Sequence, residues 1–146
     1  MRIAGFMLGS QVTQEEESVP VLKGPKTVLN PRYIPTEYSF AVAIEIVGVD
    51  YSKHSEITFT LNSPDGEEVF KVGPWTLIHD ALVSNPTLPE CRSETVLLQL
   101  DNVEFRQNGI YKLYVEVNGT ELEPQDIPVH ADEVHKCTDA PMPGPT

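Results

Sequence analysis

Apolar and polar residues alternate along several short stretches of the chain, and each such stretch predicts a β-strand with one buried face. In the clearest one, Glu37 to Val49, every second residue of the central part is apolar: Phe40, Val42, Ile44 and Ile46. Because successive side chains of a strand point to opposite faces, this spacing directs all four toward one core. The same alternation recurs at residues 56–61, 94–105 and 110–117.

Turn sequences between these strands predict hairpins. Ser63-Pro64-Asp65-Gly66 precedes residues 67–72, which we interpret as the returning arm of a hairpin. Asn118-Gly119 follows the strand at 110–117 and is the dipeptide preferred in two-residue type I′ turns, because both central positions need a positive φ.

Two further regions complete the predicted set of strands. Thr120 to Val129 contains Pro124 and Pro128, which cannot donate to a ladder, so we expect an edge strand or a strand broken by a bulge. Residues 2–8 and 26–29 supply two more short strands. The total of about seven or eight strands, with turns between them, predicts an all-β, antiparallel β-sandwich of the immunoglobulin-like kind.

One long segment, Gly73 to Ser93, lacks the alternation. It contains several prolines and a stretch compatible with a short helix, and a connection of this length in a compact domain is usually functional or mobile. Its residues Trp75, His79 and Asp80 are therefore the candidate binding site. Two interpretations of Trp75 stay open, since tryptophan is enriched at binding hot spots but also packs beneath loops.

The chain is expected to form one domain over residues 1–130. After residue 130 the pattern is lost, and residues 131–146, with prolines at three alternate positions, predict a flexible Pro-rich tail.

The stretch from Asn108 to Val115 resembles the entry to the sixth strand of immunoglobulin-like domains. Tyr111 stands where those domains place the tyrosine that anchors the corner. Leu113 stands where antibody domains have their second cysteine, so the chain resembles the wider group of sandwiches without an inter-sheet disulfide.

A second resemblance covers most of the chain. It rests on the order of five motifs, which are Met1–Gly9, Val28–Pro35 running into Tyr38–Phe40, Ser63–Gly66, Asn108–Tyr111 and Ile127–Val129. In this order they are similar to a family of small uncharacterised bacterial proteins. That resemblance implies an immunoglobulin-like fold and transfers no catalytic residue.

Charge narrows the classes of partner. Ten Lys and Arg against 22 Asp and Glu give a formal net charge of -12, which repels phosphate backbones and anionic headgroups. No nucleic acid and no membrane is therefore expected as a partner. No stretch approaches the ~20 apolar residues of a membrane span, and the apolar run at the amino terminus is too short for a signal peptide, so we expect a cytoplasmic protein. Cys91 and Cys137 are then expected to be free thiols.

Several residues of chemically active type have simpler explanations. His130, His135 and Cys137, with the acidic residues between them, are zinc-binding types, but they lie in the predicted tail, and incidental composition is the favoured interpretation. His79 and Cys91 form no known nucleophile motif. The acidic run at 15–17 could bind a cation or a basic partner, but a solvated loop is the default interpretation. The carboxylates at 50, 65, 67 and 68 fit turns better than calcium binding, because no Asp-x-Asp spacing occurs among them.

The sequence contains no Gly-rich phosphate loop, no Gly-x-Ser-x-Gly and no His-Glu-x-x-His. We therefore expect no enzymatic activity, no cofactor and no metal. The leading hypothesis is a binding or scaffolding module that acts through loops or a sheet edge, with a partner protein or a second copy. Two alternatives remain open, a metal-assisted enzyme using His79, Asp80 or the group at 130–137, and a structural component of a phage or another assembly.

Overall fold

The computed structural model describes residues 1–14, 19–50, 54–77, 88 and 91–134. Within these ranges the regular elements are all β-strands. They are β1 (Arg2–Gly9), β2 (Gln11–Thr13), β3 (Val21–Lys23), β4 (Tyr33–Ile34), β5 (Thr36–Val47), β6 (Ser55–Asn62), β7 (Glu68–Leu77), β8 (Ser93–Phe105), β9 (Gly109–Val117), β10 (Thr120–Glu121), β11 (Gln125–Val129) and β12 (Glu133–Val134). No helix long and apolar enough to cross a membrane occurs in the described ranges.

Two antiparallel sheets enclose the core. The first sheet has the order β1-β5-β8, and the second has the order β7-β6-β9, with β10 and β11 both on the far side of β9. The alternation in β5 is confirmed, since Phe40, Val42, Ile44 and Ile46 are all buried, and they face Phe59, Leu113 and other buried residues of the second sheet in one hydrophobic cluster. This is the immunoglobulin-like sandwich, and β7 belongs to the sheet of β6 and β9.

A β-bulge allows apolar side chains on both sides of it in β8 to face the core. Tyr38 pairs with Val103 and Phe40 pairs with Leu100, so Ser39 opposes two residues of β8. Asn102, one of these two, has a φ of 56°. The extra residue shifts the alternation, and Leu100 and Val103 are consequently both buried although they are three positions apart.

The last hairpin agrees with its prediction. Asn118 and Gly119 have φ values of 51° and 81°, and Thr120 pairs directly with Val117 across this two-residue turn. The strand after the turn is broken into β10 and β11, and both lie along the edge of β9. The interruption contains Pro124, which has no N–H to donate.

The prediction of a strand at 26–29 is wrong. Lys26 and Leu29 form only isolated bridges, to Leu8 and Val129. Instead, β2 and β3 form a short hairpin that contacts the first sheet, where the Val12 N–H donates to Oε1 of Gln99 at 2.8 Å.

The predicted irregular segment begins too early. β7 continues through Gly73 to Leu77, and Trp75 pairs with Ile57 of β6. At the register shift Gly73 adopts a φ of 110°, and a Cβ atom there would lie 2.7 Å from the Ile57 carbonyl oxygen. Because glycine has no Cβ and tolerates a positive φ, β7 can come this close to the backbone of β6 and continue, although the sequence alone indicates a break.

The chain stays in contact with the sandwich beyond residue 130. Ala131 is buried, its N–H donates to Oδ1 of Asn108 at 2.7 Å, and β12 pairs in parallel with β4. These contacts include the first four residues of the predicted tail. Residues 135–146 lie outside the described residues.

Candidate functional site

Of the three predicted binding residues, Trp75 alone lies in the described part of the chain. Trp75 lies on β7 and not in a loop, which corrects the prediction, and its ring centroid is 5.9 Å from that of Phe59. The Trp75 side chain is 43% exposed, so packing covers it only in part. His79 and Asp80 lie outside the described residues.

The residues of the alternative metal-binding and acidic groups also lie partly outside the described ranges. His130, Asp132 and Glu133 are exposed, whereas His135, Cys137 and the acidic run at 15–17 are not described. Among the described residues, no three His, Cys, Asp or Glu side chains are grouped so as to hold a metal ion. Cys91 is an exposed free thiol.

The acidic turn after β6 is held by its own hydrogen bonds. The Gly66 N–H donates to the Ser63 carbonyl at 2.9 Å, and the Glu67 N–H donates to Oγ of Ser63 at 3.2 Å. Asp65 accepts a bond from Nε2 of Gln107 at 2.9 Å. These contacts agree with the interpretation of this segment as a hairpin turn.

A more extended feature lies between the two sheets, along the outer edge of β1. Two adjoining cavities of about 700 and 600 Å³ share Phe6 and Asp126, and together they form one groove. We call it the edge groove. One wall is β1 from Ile3 to Leu8, and the other consists of residues 25–28 and 123–126.

Backbone groups of both walls point into the edge groove. The Leu8 carbonyl accepts from the Lys26 N–H at 2.8 Å and therefore points away from β5. Because the direction alternates along an antiparallel strand, the N–H and C=O of Phe6 point the same way. On the opposite wall, the Pro128 carbonyl accepts from the Leu29 N–H at 2.9 Å, so the backbone groups of Asp126 also point away from β9.

No described strand pairs with β1 between Arg2 and Met7 on this side. Ile3 and Phe6 are partly buried and pack against the core, while Met7 is 51% exposed. The edge groove therefore combines unpaired strand backbone with apolar side chains.

Only some of the charged side chains around the edge groove have a partner of opposite charge. Nζ of Lys26 lies 3.1 Å from the Tyr38 hydroxyl and 5.9 Å from the centre of its ring, and Lys112 forms an ion pair with Asp126. Lys112 is therefore neutralised by a carboxylate, whereas Lys26 contacts an uncharged side chain. Within the described ranges, no cation is paired with Glu123, which lines the groove, or with Glu45, which lies beside Gly5 outside the lining.

A family model matches residues 6–130, which is most of the chain. The chain belongs to DUF6941, a family of unknown function. The match begins at Phe6, within β1, and ends at His130, just after β11. The prediction of an uncharacterised family is confirmed to this extent, and the bacterial origin stays a prediction. No curated protein matches the sequence.

Two solved structures resemble the DUF6941 chain weakly. An immunoglobulin-like protein from Pseudomonas aeruginosa is 15% identical with a TM-score of 0.41, over 88% of this chain and 95% of that one. An alkylpurine DNA glycosylase from Pseudomonas fluorescens, bound to DNA containing an abasic site analogue, is 12% identical with a TM-score of 0.41. That match covers 72% of this chain, which spans only 28% of the glycosylase. Neither likeness supports an argument about function.

The chemistry available to the DUF6941 chain at the edge groove is hydrogen bonding by main-chain groups, supported by apolar contact. Sequence reasoning predicted the strand at residues 2–8 but not the groove, because its second wall comes from segments about 20 and 120 residues further along the chain. The one signal in the sequence was the pair of prolines in the last strand, which indicated that this strand lies at an edge.

Proposed function

We propose that this chain is a non-catalytic protein-binding module that acts through a free sheet edge. The observation that carries the proposal is the outer edge of β1, which faces a groove of mixed polar and apolar lining and has no paired strand from Arg2 to Met7 in the described part of the chain. Unpaired strand edges are templates for pairing with another chain, and peptide recognition by strand addition uses such edges.

Charge favours a protein as the partner. At a net charge of -12, nucleic acids and anionic membrane surfaces are repelled over distances of about a Debye length, roughly 8 Å at physiological salt. A protein segment has no such fixed sign and can supply main-chain groups to the edge. The proposal places the module in the cytoplasm, where an exposed thiol such as Cys91 stays reduced.

Site-specific photo-crosslinking in the native host tests this function. A benzoylphenylalanine at Met7 would sit on the edge groove, and one at Ile110 would sit on the outer face of the second sheet. The two positions are matched, since both residues are apolar and they are 51% and 45% exposed. We expect a defined protein adduct from position 7 and none from position 110. If neither position 7 nor an equivalent label on the edges of β7 and β8 gives an adduct, the chain does not act through a sheet edge.

Self-association is one form of the same proposal. Size-exclusion chromatography with light scattering on the purified chain measures it directly. A strict monomer at tens of micromolar would exclude a homodimer formed through an edge strand, and would leave a heterologous partner as the form to be sought by crosslinking.

A further inference from the structure

We infer that the edge groove binds an extended, positively charged segment of a partner protein as an additional β-strand beside β1. This inference rests on the proposed function and deepens it, because it names the edge, the conformation of the partner segment and its charge.

The backbone of both walls favours an extended occupant. Phe6 and Asp126, the two residues shared by both cavities, have main-chain groups that point into the groove from opposite sides. An extended segment laid along β1 can exchange hydrogen bonds with Phe6 on one side and can reach Asp126 with groups that point the other way. A helix has no free main-chain groups along its length to offer to either wall.

The side chains of the groove favour apolar residues at alternate positions of the segment. Ile3 and Phe6 pack on the core from the edge strand and are only partly covered. In a strand added beside β1, every second side chain would point toward them and the others toward solvent. Covering this apolar surface contributes free energy in proportion to the area removed from water.

The net charge of the chain and the carboxylate of Glu123 favour a basic segment. Asp126 neutralises Lys112, whereas Lys26 contacts the uncharged side chain of Tyr38 and remains a cation at one end of the groove. Glu123 lines the groove and has no cationic partner among the described residues, and neither has Glu45, which lies beside Gly5 but outside the lining of the groove. The net charge of -12 adds attraction at longer range. Solvent-facing lysines or arginines of the segment would therefore meet unpaired carboxylates.

Four synthetic probes separate strand addition from attraction by charge alone. The first is a nine-residue peptide of alternating lysine and valine, and the second has glutamate in place of each lysine. The third keeps the lysines but has proline in place of each valine, so its charge is equal to that of the first. The fourth is the lysine-valine peptide N-methylated at every second residue. The N-methylated peptide keeps the charge and the apolar side chains but loses the N–H groups on one edge. Binding is measured with the full-length chain by fluorescence anisotropy at two salt concentrations.

We expect the lysine-valine peptide to bind, with lower affinity at higher salt, and the other three peptides to bind at least about tenfold more weakly. Hydrogen exchange of the Phe6 and Asp126 amides should slow in the complex, while amides on the outer edge of β8 should not change. Glu123→Lys should weaken binding about threefold to tenfold, and Glu67→Lys, the same change outside the groove, less than about twofold.

Equal binding of the N-methylated or the glutamate peptide would overturn the inference, and so would protection confined to another edge. Absence of peptide binding would overturn it as well, as would protection of Phe6 by a second copy of the chain. These results leave the proposed function separately testable, because an adduct from position 7 in the crosslinking experiment would still show a partner at this edge.

Discussion

The hydroxyl of Tyr111 donates a hydrogen bond of 2.8 Å to the carbonyl oxygen of Gln107, four residues earlier in the chain. Tyr111 is buried, and its ring meets that of Phe105 edge-on with centroids 5.0 Å apart. The bond therefore ties the middle of the β8–β9 connection to the first turn-proximal residues of β9. This is the tyrosine corner of immunoglobulin-like sandwiches, and it confirms the role that the resemblance assigned to Tyr111.

Replacing Tyr111 by Phe should destabilise the fold by about 1 to 2 kcal/mol, because the ring contact remains while the Gln107 carbonyl loses its donor. Urea denaturation followed by circular dichroism measures the change. Tyr114→Phe is the matched control, since Tyr114 points to the outer face of the same strand, and it should change the free energy of unfolding by less than about 0.5 kcal/mol. Equal effects of the two substitutions would show that the corner bond is not what stabilises this site.

Tyr111 should also make the stability of the fold depend on alkaline pH. Burial raises the pKa of Tyr111, the charge of Asp65 adds to the increase, and hydrogen bonds to the backbone of Gln107 and Arg106 partly oppose it. The unfolded state then loses this proton first, at about pH 10, so the stabilisation is complete below that pH and is lost as pH rises through the folded pKa.

Because Tyr111→Phe has no such proton, the difference in unfolding free energy between the natural chain and this variant should narrow above about pH 10. Guanidinium titrations of both proteins between pH 8 and pH 11.5 give this difference directly. A difference in unfolding free energy that stays constant or increases over that range would contradict the raised pKa of Tyr111.

Gly119→Val should destabilise the last hairpin by about 1 to 3 kcal/mol, because Gly119 has a φ of 81° and a β-branched residue tolerates positive φ poorly. A Cβ atom at this position would meet nothing within 4 Å, so the cost comes from the backbone and not from a clash. Gly119→Asn is the control, since asparagine adopts this conformation readily and should cost much less. Thermal unfolding compares the two variants, and equal midpoints would mean that φ does not determine the effect.

The sequence predicted those features that depend on residues close together in the chain. The alternation from Phe40 to Ile46 specifies one buried face whatever lies opposite, and Asn118-Gly119 specifies its own turn geometry. Both predictions are confirmed because each pattern and its physical cause lie within a few residues.

The features that were missed depend on contacts between distant segments. The hairpin of β2 and β3 has strands of only three residues, too short to show a period, and it lies against the first sheet, where Ala41 is buried on the face opposite to Phe40. Gly73-Pro74 indicates a break by local rules, yet β7 continues because pairing with β6 outweighs the local preference. The edge groove likewise exists only once β1 and β11 have been placed in different sheets.

Residues 131–133 are hydrogen-bonded to other segments of the fold. Beyond His130, Ala131 donates to Asn108 and is buried, and the N–H groups of Asp132 and Glu133 donate to the carbonyls of Pro31 and Arg32, each at 3.2 Å. A chain ending at Val134 keeps these bonds, and a chain ending at His130 loses all three. At about 0.5 to 1.5 kcal/mol for each bond, partly offset by the entropy of the released residues, the shorter chain should be less stable by about 1 to 3 kcal/mol.

Urea midpoints of the two truncated chains test this directly, and Asn108→Ala in the full-length chain isolates the bond to Ala131. We expect the order of stability to be the chain ending at Val134, then Asn108→Ala, then the chain ending at His130, because Asn108→Ala removes only one of the three bonds. Equal midpoints for the two truncated chains would mean that residues 131–134 add nothing to the sandwich. The predicted boundary of the domain at residue 130 would then be the correct one, and the pairing of β12 with β4 would be energetically neutral.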